Sequence, residues 1–548
     1  MDNRAKTLIE QANRAFNKRS MLMSFWQECA DNFYVERADF TASRTIGEDF
    51  ASHLTTSFPM LARRELGNSF SAMLRPKEVS WFHLRTPREE RTDKAGREWL
   101  EWAEGVQRRA MYDKVTQFVR ATKEADHDFT TFGQCVISVE FDYSKMALLY
   151  RCWHLRDVAW RENYSGQIDT IYRRWSPEAC ELQKLFRDKV HRKVKEAVET
   201  NEGRDKYHEF PCLHVIVPAE GYGKKKFRTP YVSLHIDVEN EHVMAEEGAW
   251  STQYVIPRWE TVSGSQYAFS PAVVASLPDA RLIQTITLAL MEAAEKSSNP
   301  TMIAVEEAIR SDLDLRAGGV VMADMDYDER LGEVLRPISQ DYSGIRYGID
   351  MSDRVAALIK EAFYLNQIQP VPLVSKEMTA YEVGQHIQDY IRKALPLFEP
   401  MEQDYNGGLC EMTFDLLMRK GAFGSMRDLP DSLKGQDVTF RFESPLHALE
   451  ERRKANLFLE SRGLAAAAAE SDPLAMAMLD TRIALRDALK GLGTPENWTR
   501  DDKALAEIEA AHQQRAQAQE MLAAAGAAGQ VAEQFGKAKQ ALMPAEAV

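Results

Sequence analysis

The chain has 548 residues, 44% hydrophobic and 28% charged, with a net charge of −14 from 69 Lys+Arg against 83 Asp+Glu. This is ordinary globular composition with apolar material for about three or four domains, and it excludes a protein that holds DNA tightly by neutralising phosphates. With a mean hydropathy of −0.42, no apolar run near the roughly 18 residues of a membrane span and no signal-peptide core after Met1 are expected, so residence in a cytoplasm is expected.

In chain order, residues from Asn3 to about Ala30 read as one amphipathic helix carrying Leu8, Ala12, Phe16 and Leu22, and Phe25, Trp26, Phe33 and Tyr34 read as core aromatics. A second helix is expected over about Phe58 to Leu74, with Leu61, Leu66, Phe70 and Met73 on its inner face. It stops at Pro76 before a short strand at Trp81-Phe82-His83-Leu84. A helical block from about Asp93 to Ala125 leads through Gly133 into a strand at 135–140. Residues 148–174 and 208–259 are strand-rich, separated by a charged helix from Pro177 to Glu199. Gly221-Tyr222-Gly223-Lys224 lacks P-loop spacing and reads as a hairpin tip.

The stretch from Ser270 to Gly421 is the most informative. Ser276-Leu277-Pro278-Asp279 reads as a helix start, and the helix should run to about Ser298, where Asn299-Pro300 ends it, a length of about 30 Å. Its middle, from Leu282 to Ala294, has few charges on any side, so it needs neighbours around most of its circumference; a ring of identical helices or an ordinary helical core would supply them. Strands are expected at Met302 and Gly318, within an acidic insert. From Glu306 to Arg336 nine Asp/Glu stand against four Arg, 4 − 9 = −5. Asp324, Asp326, Asp328 and Glu329 lack the glycine and closing glutamate of a calcium loop and read as a solvated acidic loop, with weak metal binding as the alternative. A second helix begins by Ser352 with Val355, Leu358, Ile359, Ala362 and Phe363 on one face and ends near Asn366. Gln367 to Lys376, with Pro370 and Pro372, is a loop. Thr379 and Glu382 form a capping box for a long helix, kinked at Pro396 and Pro400, weakened at Gly407-Gly408 and ended at Gly421 after Arg419-Lys420.

These joints, Leu74-Arg75-Pro76 before Trp81-Phe82, Leu277-Pro278-Asp279, Met291-Glu292-Ala293-Ala294, Asn299-Pro300, Met378-Thr379-Ala380-Tyr381-Glu382-Val383 and Pro396-Leu397-Phe398-Glu399-Pro400, make the chain resemble the portal (head-to-tail connector) proteins of short-tailed double-stranded DNA bacteriophages. The resemblance spans about residues 10–520. It implies a mainly helical α+β subunit: wing 1–269, first stem helix 270–299, clip 300–345, second stem helix 346–366, tunnel loop 367–377, long kinked helix 378–421, wing return 422–450, and crown with C-terminal tail 451–548. It further implies a ring of about twelve copies at one capsid vertex of the virion, assembled in the host cytoplasm. Genome packaging and ejection would pass through the ring. Its partners would be the major capsid protein, scaffolding protein, terminase and tail adaptor or nozzle proteins, with double-stranded DNA in the channel and no membrane. Within that frame Gln367, Gln369 and Lys376 are the DNA-channel loop, or else a plain solvated loop, while Asp324, Asp326, Asp328 and Glu329 face the motor and adaptor.

No Walker loop, H-E-x-x-H or G-x-S-x-G motif is present, and the twelve histidines are dispersed. His208, Cys212 and His214 read as packing or surface groups, and the six cysteines as free thiols. No catalytic residue, metal or cofactor is expected. The alternatives are a DNA-packaging enzyme of the terminase type and a monomeric virion scaffold or adaptor.

Overall fold

The computed structural model describes residues 3–298 except 46, 78–79, 89–91, 200–204, 221 and 223–226, then 300, 302–304, 335–337, 344–368, and 401–521 except 426, 443–444, 470–477, 493, 495, 501–503 and 520. The helices, in order, are α1 Asn3–Asn17, α2 Ser20–Phe33, α3 Phe58–Leu74, α4 Lys94–Met111, α5 Phe118–Phe132, α6 Ala179–Phe186, α7 Arg192–Glu199, α8 Pro271–Ser298, α9 Gly344–Ala362, α10 Leu365–Ile368, α11 Gly408–Arg419, α12 Pro445–Ala468 and α13 Thr481–Gly491. The strands are β1 Phe82–Arg85, β2 Val136–Asp142, β3 Ala147–Trp153, β4 Val158–Glu162, β5 Ile168–Trp175, β6 Cys212–Pro218, β7 Tyr231–Asp237, β8 His242–Ala249, β9 Tyr254–Val255, β10 Glu260–Thr261, β11 Ala268–Phe269, β12 Met302–Ala304, β13 Leu335–Pro337 and β14 Thr439–Phe442. The fold is α+β, as expected.

The chain divides into two units. The larger takes in residues 1–82, 106–423 and 442–446. Its principal sheet is antiparallel in the order β4-β5-β6-β7-β8. Alternate residues face opposite ways. Leu213, Val215, Val232 and Leu234 meet Ala5, Leu8, Ala12 and Phe16 of α1 on one side. Cys212 and Met244 meet Leu182 of α6 and Val194 of α7 on the other. A smaller sheet, β3-β2-β9, packs beside α5, and α3 lies against α5.

Several boundaries differ from expectation. The first helix is two, because the chain breaks at Arg19, whose buried guanidinium donates to the carbonyls of Leu155 (2.6 Å) and Val158 (2.7 Å). The block 93–125 is also two helices, parted at Gln117 with φ 58°, and its second helix runs on to Phe132. The charged helix splits into α6 and α7 around Arg187, at φ 51°. On α3, Leu66 and Phe70 are buried but Leu61 is exposed, so the inner face is turned toward Ala62 and Leu74. Helix α8 starts at Pro271, before the expected Ser276, because the Ser270 hydroxyl accepts from Val273 N (3.3 Å) while donating to Thr130 O (2.6 Å). Pro278 therefore lies inside the helix. The added turn brings in Val273 and Val274, and α8 becomes long and apolar enough by composition to cross a membrane, with a best-window mean hydropathy of 1.3, where no such run was expected. Helix α9 likewise starts at Gly344, ahead of Ser352.

The smaller unit comprises residues 83–105, 424–441 and 447–548. Strand β1 pairs with β14. Asp93 caps α4, accepting from Gly96 N (2.7 Å) and from the Ser432 hydroxyl (2.5 Å), and the Ser432 bond holds its carboxyl below the usual range. Asp480 caps α13 through Arg482 N (3.1 Å) and Ile483 N (3.2 Å). Leu457, Leu459, Leu464 and Ile483 are exposed on these helices, and residues 504–519 form a further helix.

Candidate functional site

The feature that departs most from an ordinary soluble core is the helix pair α8–α9. Its base is anchored. Ala272, Val273, Ser276, Leu277, Ala280 and Ile283 are buried, all in the first half of α8. Gln284 then clamps the preceding loop with its whole amide: Oε1 accepts from Thr55 N (2.8 Å) and Thr56 N (2.9 Å), and Nε2 donates to Thr56 O (2.9 Å). Arg281 pairs with Glu28 of α2. Beyond this point α8 meets α9, and the contact is close. A Cβ placed on Gly348 would lie 2.7 Å from Leu290 Cδ2.

What remains uncovered is apolar. From Leu282 to Met291 there is no charged residue, yet Leu288 is 47% exposed, Met291 57% and Leu282 38%. The 3.6-residue period places Met291 on one flank of the Leu290 contact, Leu282 and Ala289 on the other, and Leu288 nearly opposite it. On α9, Tyr347 (77% exposed), Met351 and Leu358 line one flank and Ile349 the other. The charges Arg346, Asp350, Asp353, Lys360 and Glu361 fall on the side away from α8. The expected neighbours on several sides of α8 are thus only partly supplied by its own chain. Val355, Ile359 and Phe363 are buried as expected, but Leu358 is half exposed.

Behind the pair lies a row of ionisable side chains on α5, Asp126 and Asp128 buried and His127 half-buried. Asp126, His127 and Asp128 are consecutive, and each meets a different arginine. Arg75 pairs with Asp126, Arg63 lies 3.0 Å from His127 Nδ1, and Arg37 grips Asp128 through two bonds of 3.0 and 2.8 Å. Burial works against charge on Arg75, but Asp126 beside it more than compensates, so its pKa moves up. Burial and the Arg63 charge push His127 down to about 4. This row was not foreseen from the sequence. Its signal is three consecutive ionisable residues between Ala125 and Phe129, in a helix buried nearly all round.

A cavity of about 770 Å³ opens between β2, β7, β8 and α11. Within it the rings of His214 and His235 stack at 4.1 Å, and burial drives both histidines well below the ordinary range, His235 to about 3. Four carboxylates, Glu140, Asp188, Glu247 and Asp415, and four cations, Arg187, Lys189, Arg419 and Lys420, line it, so their formal charges cancel. Cys212 and His214 are buried in packing and His208 is exposed, in keeping with their expected roles. All six thiols are free.

Of the residues picked for function, Gln369, Lys376, Asp324, Asp326, Asp328 and Glu329 lie outside the described residues, as do the capping box at Thr379 and the kink at Pro396 and Pro400. Gln367 belongs to α10, which continues helically past Asn366 after Tyr364 at φ 57°. At the end expected for a long helix, α11 closes at Arg419, and Gly421 takes φ 74° as the end signature requires.

A family model described as "Bacteriophage head to tail connecting protein" matches residues 5–499. A "Probable portal protein" of Bordetella phage BPP-1 is 23% identical over 453 residues, covering 80% of this chain and 79% of that protein. A "Portal protein" of Salmonella phage epsilon15 is 19% identical over 483 residues, covering 86% and 84%. A chain from the virion of a native gene transfer agent particle aligns with TM-score 0.30 at 10% identity, over 68% of this chain and 87% of that one, a likeness too slight to argue from.

Proposed function

Because the chain belongs to the bacteriophage head to tail connecting protein family, we propose that it is the subunit of a ring-shaped channel at one capsid vertex, through which the genome is packaged and ejected. In this reading residues 1–269 and 422–450 are the wing, α8 and α9 the stem, 300–345 the clip, 367–377 the tunnel loop, 378–421 the long bent helix and 451–548 the crown. Gln367, Gln369 and Lys376 border the DNA path. Asp324, Asp326, Asp328 and Glu329 face the packaging motor and tail adaptor. About twelve copies assemble in the host cytoplasm with capsid and scaffolding proteins. The part is structural rather than enzymatic.

The observation that carries this reading is the exposure of apolar side chains on both flanks of the α8–α9 pair. One flank alone would suit a two-fold dimer, in which the same patch meets itself. Two different flanks suit a head-to-tail contact repeated around an axis. Lipid is a poorer cover for α8: its first half is walled in by protein, and α9 beside it carries six charges. The reading is tested by mass photometry and end-on negative-stain images of the purified chain. The expected particle has a central hole and a mass about twelve times 62.4 kDa. Leu288→Asp with Tyr347→Asp should return single subunits. A wild-type chain that stays single in every buffer overturns the reading.

A further inference from the structure

The segment Glu402–Gly407 winds as a π-helix immediately before α11. A π-turn holds one residue more than the α-turn it replaces, and such turns are uncommon and recur at functional positions. The side after the turn is fixed three ways. The Gln107 amide donates to Cys410 O at 3.0 Å, Tyr150 OH and Thr413 Oγ1 share a hydrogen bond of 2.6 Å, and a Cβ on Gly408 would fall 2.9 Å from Val255 Cγ1. The turn itself is held from the end of α3. Arg75 donates to Asn406 Oδ1 at 2.9 Å and lies 4.6 Å from the centroid of the Tyr405 ring, and Asn406 Nδ2 donates to Leu74 O at 3.3 Å. The extra residue thus sits where two consecutive side chains, Tyr405 and Asn406, are both buried against Arg75.

We propose that this turn is a register joint with Arg75 and Asn406 as its catch. Released from the catch, the turn rewinds as an α-helix. Met401 then rotates by about 100° about the helix axis and shifts by about 1.5 Å along it, while α11 stays in place. The inference rests on the reading of 378–421 as one long helix, since only a continuous rod transmits the rotation.

Hydrogen exchange on the full-length chain, followed by mass spectrometry, tests it with two variants. Asn406→Leu removes the catch and should speed exchange across 401–407 about tenfold, leaving 409–417 within about twofold of the parent. Deleting the exposed Gln403 removes the surplus residue and should slow exchange across 401–407 below the parent. No change in either variant overturns the joint. So does an equal rise through 409–417 and β2, which would mark Asn406 as ordinary core packing. Fast exchange across 384–398 in the unaltered chain overturns the long helix first, and the joint with it.

Discussion

Gly67 stands where a side chain would run into the ring of His127. An imidazole held by Arg63 cannot swing aside as a flexible chain end would, so Gly67→Ala should lower stability by about 1–3 kcal/mol, read from urea denaturation. The Arg75–Asp126 pair behaves differently under single and double change. Asp126→Ala strands a buried guanidinium and should cost about 3–5 kcal/mol. Arg75→Met with Asp126→Leu removes both charges and their desolvation cost, so it should lie closer to the parent than Asp126→Ala, short of it by the lost bond to Asn406 Oδ1. The histidines set a pH window. His127 and His235 are pushed down to about 4 and about 3, while the unfolded chain takes up these protons near the ordinary value of about 6.5. The unfolded state therefore binds more protons between those limits. The stability is whole above about pH 6.5 and falls as pH drops toward 4, by on the order of 1.4 kcal/mol per pH unit per histidine. Denaturation midpoints measured from pH 7 to 4 should show that slope, and His127→Gln with His235→Gln should reduce it without abolishing it, because buried His214 is also held well below its ordinary value. These residues were scarcely legible in the sequence, since a glycine or an Asp-His-Asp run declares its partner only when distant segments meet.

Helices were far more legible. Val355, Ile359 and Phe363 follow from the period of their own segment, and the end at Gly421 from a backbone conformation that glycine adopts freely. Two of the misplaced boundaries share one cause. At Arg19 and Ser270 a side chain bonds to backbone more than a hundred residues away, and that bond sets where the helix breaks or begins. Gly348 belongs to this scale too. Its missing side chain lets α8 and α9 approach, so Gly348→Leu should pry them apart while leaving both helices formed. The expected outcome is unchanged far-ultraviolet circular dichroism, with loss of the large particle in mass photometry. The exposed face of α8 was half legible. An uncharged run announces a need for neighbours, but not whether they come from the same chain.

At the scale of the whole molecule, charge and assembly act together. In the proposed ring, subunits of −14 each would surround the lumen with negative potential, and duplex DNA would slide rather than stick. The assembled protein should hold linear duplex only weakly at about 0.15 M salt in a filter or mobility assay; tight retention there would contradict the channel reading. By itself the sequence determined the α+β class, the helix pair and the family, because periodicity, caps and turn residues are written within a few positions of one another. Tertiary structure alone decided which apolar face stays uncovered, which arginine meets Asp126, His127 and Asp128, and where a helix takes the wider π winding. Each of those depends on groups far apart in the chain, whose meeting leaves no local trace.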